Sequence, residues 1–344
     1  MKHSDSERRK KMKIVHPLLI EQQKAAAMQP KLRYDGKTDF TEWQKQGKEK
    51  LAELLGMHNM KTCDLLFDKE YETEENGVKE IRFTFQSEEG YFVPCHLVYP
   101  ADAKEPLPLM VCLQGHSTGM HNSLGRPKYE GDADSIGPNV RDFCVQAVKR
   151  GFAAIAMEQR CFGECGGTPR PDCYATAMVS ICNGRTLIGE RVWDVSRLLD
   201  TVEAQFPFID KNRFYCMGNS GGGTATIYST VLEDRIKAAI PSCAICTYSA
   251  SILAMYHCSC NYIPQITQWF DMGDLCGLCA PRPLLVVNGS EDSIFPIDGA
   301  KECVALAKEL YKTAGAEQNV QHCIGNGGHR YYADEAWPVF MDMI

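Results

Sequence analysis

The chain has 344 residues, 44% of them hydrophobic and 24% charged, with a net charge of -7. That balance is ordinary for a globular protein, and without a basic stripe it argues against nucleic-acid binding. No apolar run reaches the roughly 18 residues that a membrane span requires, so no membrane partner is expected.

The N-terminus, Met1 to Lys11, is charged and is not followed by the apolar core of a secretory signal. The 17 cysteines are an odd number, which excludes a complete disulfide framework. Together these features predict a reducing compartment and a cytoplasmic location, with thiols such as Cys112 and Cys216 serving as small buried hydrophobes.

Residues 1–35 are polar and poor in core-forming side chains. Phe40, Trp43, Leu51, Leu54 and Leu55 then mark an amphipathic helix, with Asp39 and Glu42 spaced as a capping box. We therefore expect an N-terminal helical arm over 1–58 and a catalytic domain over 59–344. Lys79–Pro100 alternates apolar and polar residues around Ser87-Glu88-Glu89-Gly90, the pattern of an antiparallel hairpin.

From Pro106 onward, short apolar runs replace that alternation: Leu107–Leu113, Phe152–Met157, Arg213–Met217, Ile236–Ile240, Leu284–Val287 and Val320–Cys323. Such runs suit strands buried on both faces. Helical patterns lie between most of them, the clearest being Ile188, Val192, Val195, Leu199 and Val202, and then Ala300, Val304, Ala307 and Tyr311. Strands alternating with helices predict an α/β fold with a mainly parallel central sheet and helices on both faces. Two segments break the rhythm. One is rich in Gly, Ser, Asn and His, over Gly115–Gly137; the other is an insertion at about 246–281 that carries Tyr248, Tyr256, His257, Tyr262, Trp269 and Phe270. Irregular segments of this kind usually project from the carboxyl ends of strands, where ligands bind.

The most informative motif is Gly218-Asn219-Ser220-Gly221-Gly222, between the strand pattern ending at Met217 and a helical pattern from Thr224. A G-x-S-x-G run in that setting is a nucleophile elbow: small residues two positions either side of the serine let strand and helix backbones approach, and the hydroxyl projects above the sheet. A serine hydroxyl needs a base, and the base needs an orienting carboxylate. Downstream, Asp292 occupies a strand-end turn, Asn288-Gly289-Ser290-Glu291-Asp292, and His329 sits in the Gly-rich loop Gly325-Asn326-Gly327-Gly328-His329. Glu291 is the nearest rival for the acid, with Asp271 and Asp274 as further alternatives, whereas His322, inside the last strand, reads as structural.

With the serine, acid and histidine in that order, the chain resembles an α/β-hydrolase of the acetyl xylan esterase and dienelactone-hydrolase-like group, over about residues 80–335. Glu158-Gln159-Arg160-Cys161-Phe162-Gly163, Ala280-Pro281-Arg282-Pro283 and Phe295-Pro296 add to the likeness. The resemblance implies an oxyanion hole built from the amide of Gly221 and that of His116, in Gln114-Gly115-His116. Gln114 stands where such families have histidine, and Ser220 stands where dienelactone hydrolases have cysteine, which favours ester chemistry. It also implies a serine carboxylic-ester hydrolase that removes a small acyl group, acetyl among them, from a carbohydrate or similar alcohol. Such a mechanism calls for no cofactor. A prolyl-oligopeptidase-like peptidase and a non-catalytic binding protein on the same fold are the alternatives.

Weaker signals complete the reading. Arg160, His121, Tyr262 and Trp269 are candidate substrate contacts, and Trp269 in particular is expected to wall the pocket over Ser220. Arg191 and Asp194 fit a solvated or bracing pair. Cys276-Gly277-Leu278-Cys279 with His257, Cys258 and Cys260 could supply metal ligands, but their loose spacing favours packed thiols, so no metal is expected. The expected partner is a small ester; the oligomeric state is left open, a homo-oligomer included.

Overall fold

The computed structural model describes residues 16–104, 106–166 and 170–344. Residues 1–15, the charged start of the predicted arm, lie outside the described residues. Among the described residues nine strands form one sheet: β1 (Asp68–Glu75), β2 (Val78–Glu88), β3 (Tyr91–Pro100), β4 (Leu107–Leu113), β5 (Ala153–Met157), β6 (Ile209–Asn219), β7 (Ile236–Ser242), β8 (Leu284–Gly289) and β9 (Val320–Gly325). Their spatial order is β1-β2-β3-β5-β4-β6-β7-β8-β9. The β1–β2, β2–β3 and β3–β5 pairings are antiparallel, and every pairing from β5–β4 to β8–β9 is parallel.

The apolar runs become central strands because both of their faces are covered. Along β4, Leu109, Val111 and Leu113 point into one core while Met110 and Cys112 point into the other. The first core is closed by the helices Phe40–Leu55, Leu187–Gln205, Gly221–Leu232 and Ile297–Thr313, and the second by Phe143–Val148 and Ala333–Met343. The predicted hairpin is β2–β3, with its turn tightened to Glu89-Gly90. β1 is a strand that hydropathy does not announce: all eight residues, Asp68 to Glu75, are exposed, and its order comes from backbone pairing to β2 at the sheet edge.

The helix Phe40–Leu55 starts where expected, with the Asp39 carboxylate accepting from the Glu42 amide at 3.0 Å, and it ends at Gly56 with φ of 78°. It delivers Trp43, Leu51 and Leu55 to the same core as the sheet. The segment before it lies on the 246–281 insertion. There the Lys31 amide donates to Gln268 O, and Arg33 makes a two-pronged ion pair with Asp274, both contacts at 3.1 Å.

The order of strand connection reverses beside β4, whose successor β5 lies on one side and β6 on the other. The crevice outside the carboxyl ends of strands at such a reversal is where open α/β sheets bind ligands. It is here that the loop after β4 and the turn after β6 meet.

Candidate active site

The turn after β6 is tight because its neighbours leave no room for side chains. A Cβ on Gly222 would lie 1.9 Å from Leu113 O, and one on Gly218 would lie 2.5 Å from Gly222 C. Between them Ser220 adopts φ 56° and ψ -122°, a left-handed conformation that is costly for any residue with a Cβ. Ser220 N donates to Ser242 O at 2.8 Å and Ser220 O accepts from Thr224 N at 2.8 Å, so the strained turn is pinned on both sides. The helix Gly221–Leu232 follows at once, and the first N–H groups of a helix have no partner within it. These amides, with the helix dipole, favour negative charge at Ser220.

Asp292 is 4% exposed at the end of the β8 turn. Its Oδ1 accepts from the amides of Ile294 at 2.8 Å and Phe295 at 3.0 Å, and its Oδ2 accepts from His329 Nδ1 at 2.8 Å. Burial pushes the carboxyl pKa up, but His329 and the two amides outweigh it and hold the group below the usual carboxylate range. With Nδ1–H committed to Asp292, the imidazole presents Nε2 as a lone pair. The ring lies flat against Phe295, with planes 15° apart and centroids 5.8 Å apart. The loop that carries it is held by Gly327 N to Ser290 Oγ at 3.2 Å and by Tyr332 OH to Gly328 O at 2.7 Å.

The rivals for the acid are engaged elsewhere. The Glu291 side chain is exposed, and its amide donates to Gly327 O at 2.8 Å. Asp271 caps the helix Met272–Leu278, Asp274 pairs with Arg33, and His322 Nε2 lies 3.1 Å from Asn288 Oδ1. Burial lowers the His322 pKa to about 4, as suits a structural imidazole.

Ser220 and His329 open on one cleft of about 690 Å³, together with Gly221 and His116. The loop after β4 reaches this cleft because Gln114 anchors it from inside. Gln114 Nε2 donates to Ser123 Oγ and Arg141 O, both at 2.7 Å, and Gln114 O accepts from Gln159 Nε2. The His116 ring packs against the elbow, so that a Cβ on Gly221 would lie 2.9 Å from its Nδ1. Glu158 holds the next turn of the loop, accepting from Met120 N at 3.1 Å, and burial raises its pKa to about 7.

The expected substrate contacts are corrected by the structure. Arg160 does not line the cleft: its guanidinium is spent on Asp194 at 2.8 Å, Glu88 at 2.7 Å and Glu190 at 3.2 Å, a buried brace between β2 and the helix Leu187–Gln205. Asp194 therefore pairs with Arg160 and not with Arg191, which donates to Arg160 O at 2.8 Å and to Cys173 Sγ at 3.3 Å. His121 also stands back from the cleft wall. Its Nε2 holds Asp132 Oδ2 at 2.8 Å, and Asp132 in turn gathers Thr118 Oγ1 at 2.6 Å and the amides of Lys128 and Tyr129 at 2.8 Å. Tyr262 packs against the main core.

Trp269, expected over Ser220, is instead turned toward the N-terminal segment, with Lys31 and Lys50 ammonium groups 4.8 and 4.3 Å from its ring. Tyr248 and Phe270 of the insertion are buried in the main core, and Tyr262 and Trp269 pack against it. Its contributions to the cleft are Tyr256, His257, Cys258 and Asn261. Tyr256 is 95% exposed at the mouth, and His257, whose pKa burial lowers, packs edge-on to Phe295. The opposite wall comes from the 115–137 segment through Ser117, Thr118, Glu130 and Asp132, with Arg141 and Arg170 beside it. Burial lowers the Arg141 pKa, partly offset by Asp132.

The metal reading changes in its members. Cys276 and Cys279 are buried in the main core, away from the insertion's other thiols. Cys258 and Cys260 meet His116 and Cys173 instead.

Known proteins resemble this chain in sequence or in fold. YtaP of Bacillus subtilis (strain 168), whose name gives hydrolase as a provisional function, is 23% identical over 261 residues, covering 75% of this chain and 84% of YtaP. A Bacteroides fragilis NCTC 9343 protein provisionally named an acetyl xylan esterase superimposes with a TM-score of 0.76 at 16% identity, covering 95% of this chain and 84% of its own. A glucuronoyl esterase from Solibacter usitatus superimposes with a TM-score of 0.70 at 15% identity, covering 92% and 96%. At such identities the structural likeness is one of fold. No helix of the described residues is long and apolar enough to cross a membrane. With a mainly parallel sheet flanked by helices and a family model that matches residues 1–335, the chain belongs to the Abhydrolase family.

Proposed function

We propose that this protein is a serine carboxylic-ester hydrolase that removes a small acyl group, acetyl foremost, from a carbohydrate or similar alcohol. The observation that carries the reading is the 2.8 Å Asp292–His329 pair opening on the same cleft as Ser220, itself held at φ 56°. Ser220 Oγ attacks the ester carbonyl while His329 Nε2 takes its proton. The tetrahedral oxyanion is received by the amides of Gly221 and His116. As the carbon–oxygen bond breaks, His329 returns the proton to the leaving alkoxide, releasing the alcohol. Water then attacks the acyl-serine with His329 again as base, and collapse frees the acid and Ser220. Asp292 holds the tautomer and stabilises the imidazolium at each proton transfer.

The cleft supports a hydroxyl-rich alcohol. Glu130, Ser135 and Arg170, none of them buried, offer hydrogen bonds around its wall, and Tyr256 presents an exposed aromatic ring at the mouth on which a pyranose can stack. Structural neighbours named as acetyl xylan and glucuronoyl esterases favour the same substrate class. The test is a panel of acetyl, propionyl, butyryl and feruloyl esters, acetylated sugars, a glucuronate ester and Pro-anilides. Acetylated sugars are expected to give the highest kcat/KM. Preferential cleavage of the glucuronate ester or of the anilides would replace this substrate class.

A further inference from the structure

Four metal-ligating side chains from three separate segments converge beside the elbow. His116 comes from the loop after β4, Cys173 from the start of the helix Tyr174–Cys182, and Cys258 and Cys260 from the turn Ser259–Asn261 of the insertion. A His116 ring nitrogen and the three Sγ atoms all lie within 4.8 Å of one another, and His116 Nε2 is 3.3 Å from Cys260 Sγ. A tetrahedral zinc with bonds of about 2.0–2.3 Å sets its ligand atoms roughly 3.5–3.8 Å apart, so no pair needs to contract by more than about 1.3 Å.

A second observation concerns charge. Arg191 is 0% exposed, has no carboxylate partner among the described residues, and leaves its buried Nη1 without a hydrogen bond. An uncompensated buried guanidinium is costly. The Arg191 guanidinium donates to Cys173 Sγ at 3.3 Å and lies over the Phe162 ring, 4.2 Å from the centroid. Three neutral thiols cannot balance that charge. Three thiolates, one neutral imidazole and one divalent zinc carry a net charge of -1, which does.

We propose that His116, Cys173, Cys258 and Cys260 form a closed tetrahedral site for a divalent zinc ion. On binding, each of the three thiols gives up its proton to solvent, His116 Nε2 donates its lone pair to the metal, and no bond is oxidised or reduced. All four positions are filled by protein, so the ion is structural and takes no part in ester cleavage. Its place is instructive: the site ties the insertion to the loop of His116, whose ring abuts Gly221. His116 is thus a ligand by its ring, and a candidate oxyanion donor by its amide.

The test is the metal content of the full chain, expressed with zinc in the medium and purified under reducing conditions. About one zinc per chain is expected by elemental analysis, surviving gel filtration. Cys173→Ser and Cys260→Ser should each lower it about tenfold or more, whereas Cys182→Ser, exposed at a helix end, should leave it unchanged. Because a cluster variant can fail to fold, cobalt exchange into the wild type gives a second reading. Thiolate-to-cobalt charge-transfer bands with intense tetrahedral ligand-field bands support the site. A folded wild type that binds neither metal, cobalt spectra of octahedral type, cluster variants that retain zinc, or a disulfide among these cysteines would each overturn it. Fluorophosphonate labelling of Ser220 does not depend on this result, so the two proposals fail separately.

Discussion

Replacing Asp292 by asparagine separates the carboxylate's role in tautomer control from its role in folding. In Asp292→Asn the amide oxygen can still accept from Ile294 N and Phe295 N, which lie 2.8 and 3.0 Å from Oδ1 in the wild type. The NH2 group then takes the place of Oδ2, 2.8 Å from His329 Nδ1. A donor there forces Nδ1 to accept, so the ring proton moves to Nε2 and the proposed base for Ser220 is lost. We expect turnover to fall roughly 10³–10⁴-fold, equivalent to about 4–5.5 kcal/mol of activation free energy. Stability near neutral pH should change little, by about 3 °C or less in Tm, because two of the three hydrogen bonds persist. The wild-type carboxyl titrates below its unfolded value, so the stability it adds is present above that value and disappears as pH falls through the folded pKa; the variant should lack this acid limb. Glu291→Gln, an exposed neighbour, should stay within about twofold of wild type. Steady-state kinetics on an acetyl ester with thermal melts from pH 3 to 8 read all of this. The reasoning is refuted if Asp292→Asn keeps more than about a tenth of turnover, or if Glu291→Gln falls as far.

Three further expectations follow from the corrected placements. Arg160→Met strands the buried Asp194 without its cation and leaves Glu88 and Glu190 to Arg185 alone, so Tm should fall by about 4–7 °C, corresponding to about 3–5 kcal/mol, with ester selectivity unchanged; a tenfold rise in KM without a Tm change would restore it as a substrate contact. Trp269→Ala removes packing and two cation–π contacts, and should lower Tm by about 3–6 °C while leaving kcat/KM ratios among esters within about twofold; a tenfold change in those ratios would put Trp269 back on the pocket. Glu158 has its folded pKa raised from 4.5 to about 7, so its contribution to stability is complete below 4.5 and is lost as pH rises through 7. Denaturation of wild type and Glu158→Gln across pH 4 to 8 should therefore diverge in the variant's favour toward high pH, by on the order of 3 kcal/mol before lost hydrogen bonds are counted; parallel curves would mean that Glu158 ionises normally.

What could be read from the sequence depended on whether a local pattern carried the information. β4 to β9 were legible because their apolar runs are buried on two faces. The elbow was legible because Gly218 and Gly222 are demanded by backbone approach, and that demand is visible in a pentapeptide. β1 was not, since an edge strand of eight exposed residues has no buried face to set a period. Trp269 and Arg160 misled for a related reason. An aromatic or a cation on an irregular segment is equally suited to cleft and core, and only the neighbours at contact distance (Lys31 and Lys50 for one, Asp194 and Glu88 for the other) decide between them. The cleft side chains Tyr256 and His257 were within the insertion that was singled out, but nothing local distinguished them from Tyr262. The thiol cluster was the least legible feature: Cys258-x-Cys260 is visible, yet Cys173 and His116 reach it from segments 85 and more residues away.

The central claim is that Ser220 is the nucleophile, and a fluorophosphonate probe tests it most directly because it phosphonylates only an activated serine. Mass spectrometry of the labelled wild type should find a single adduct, on the peptide carrying Ser220. Ser220→Ala should take up no probe, and should lose roughly 10⁴-fold in ester turnover while melting as a folded protein. An adduct on another residue, or labelling and activity above about a tenth of wild type in Ser220→Ala, would contradict the account.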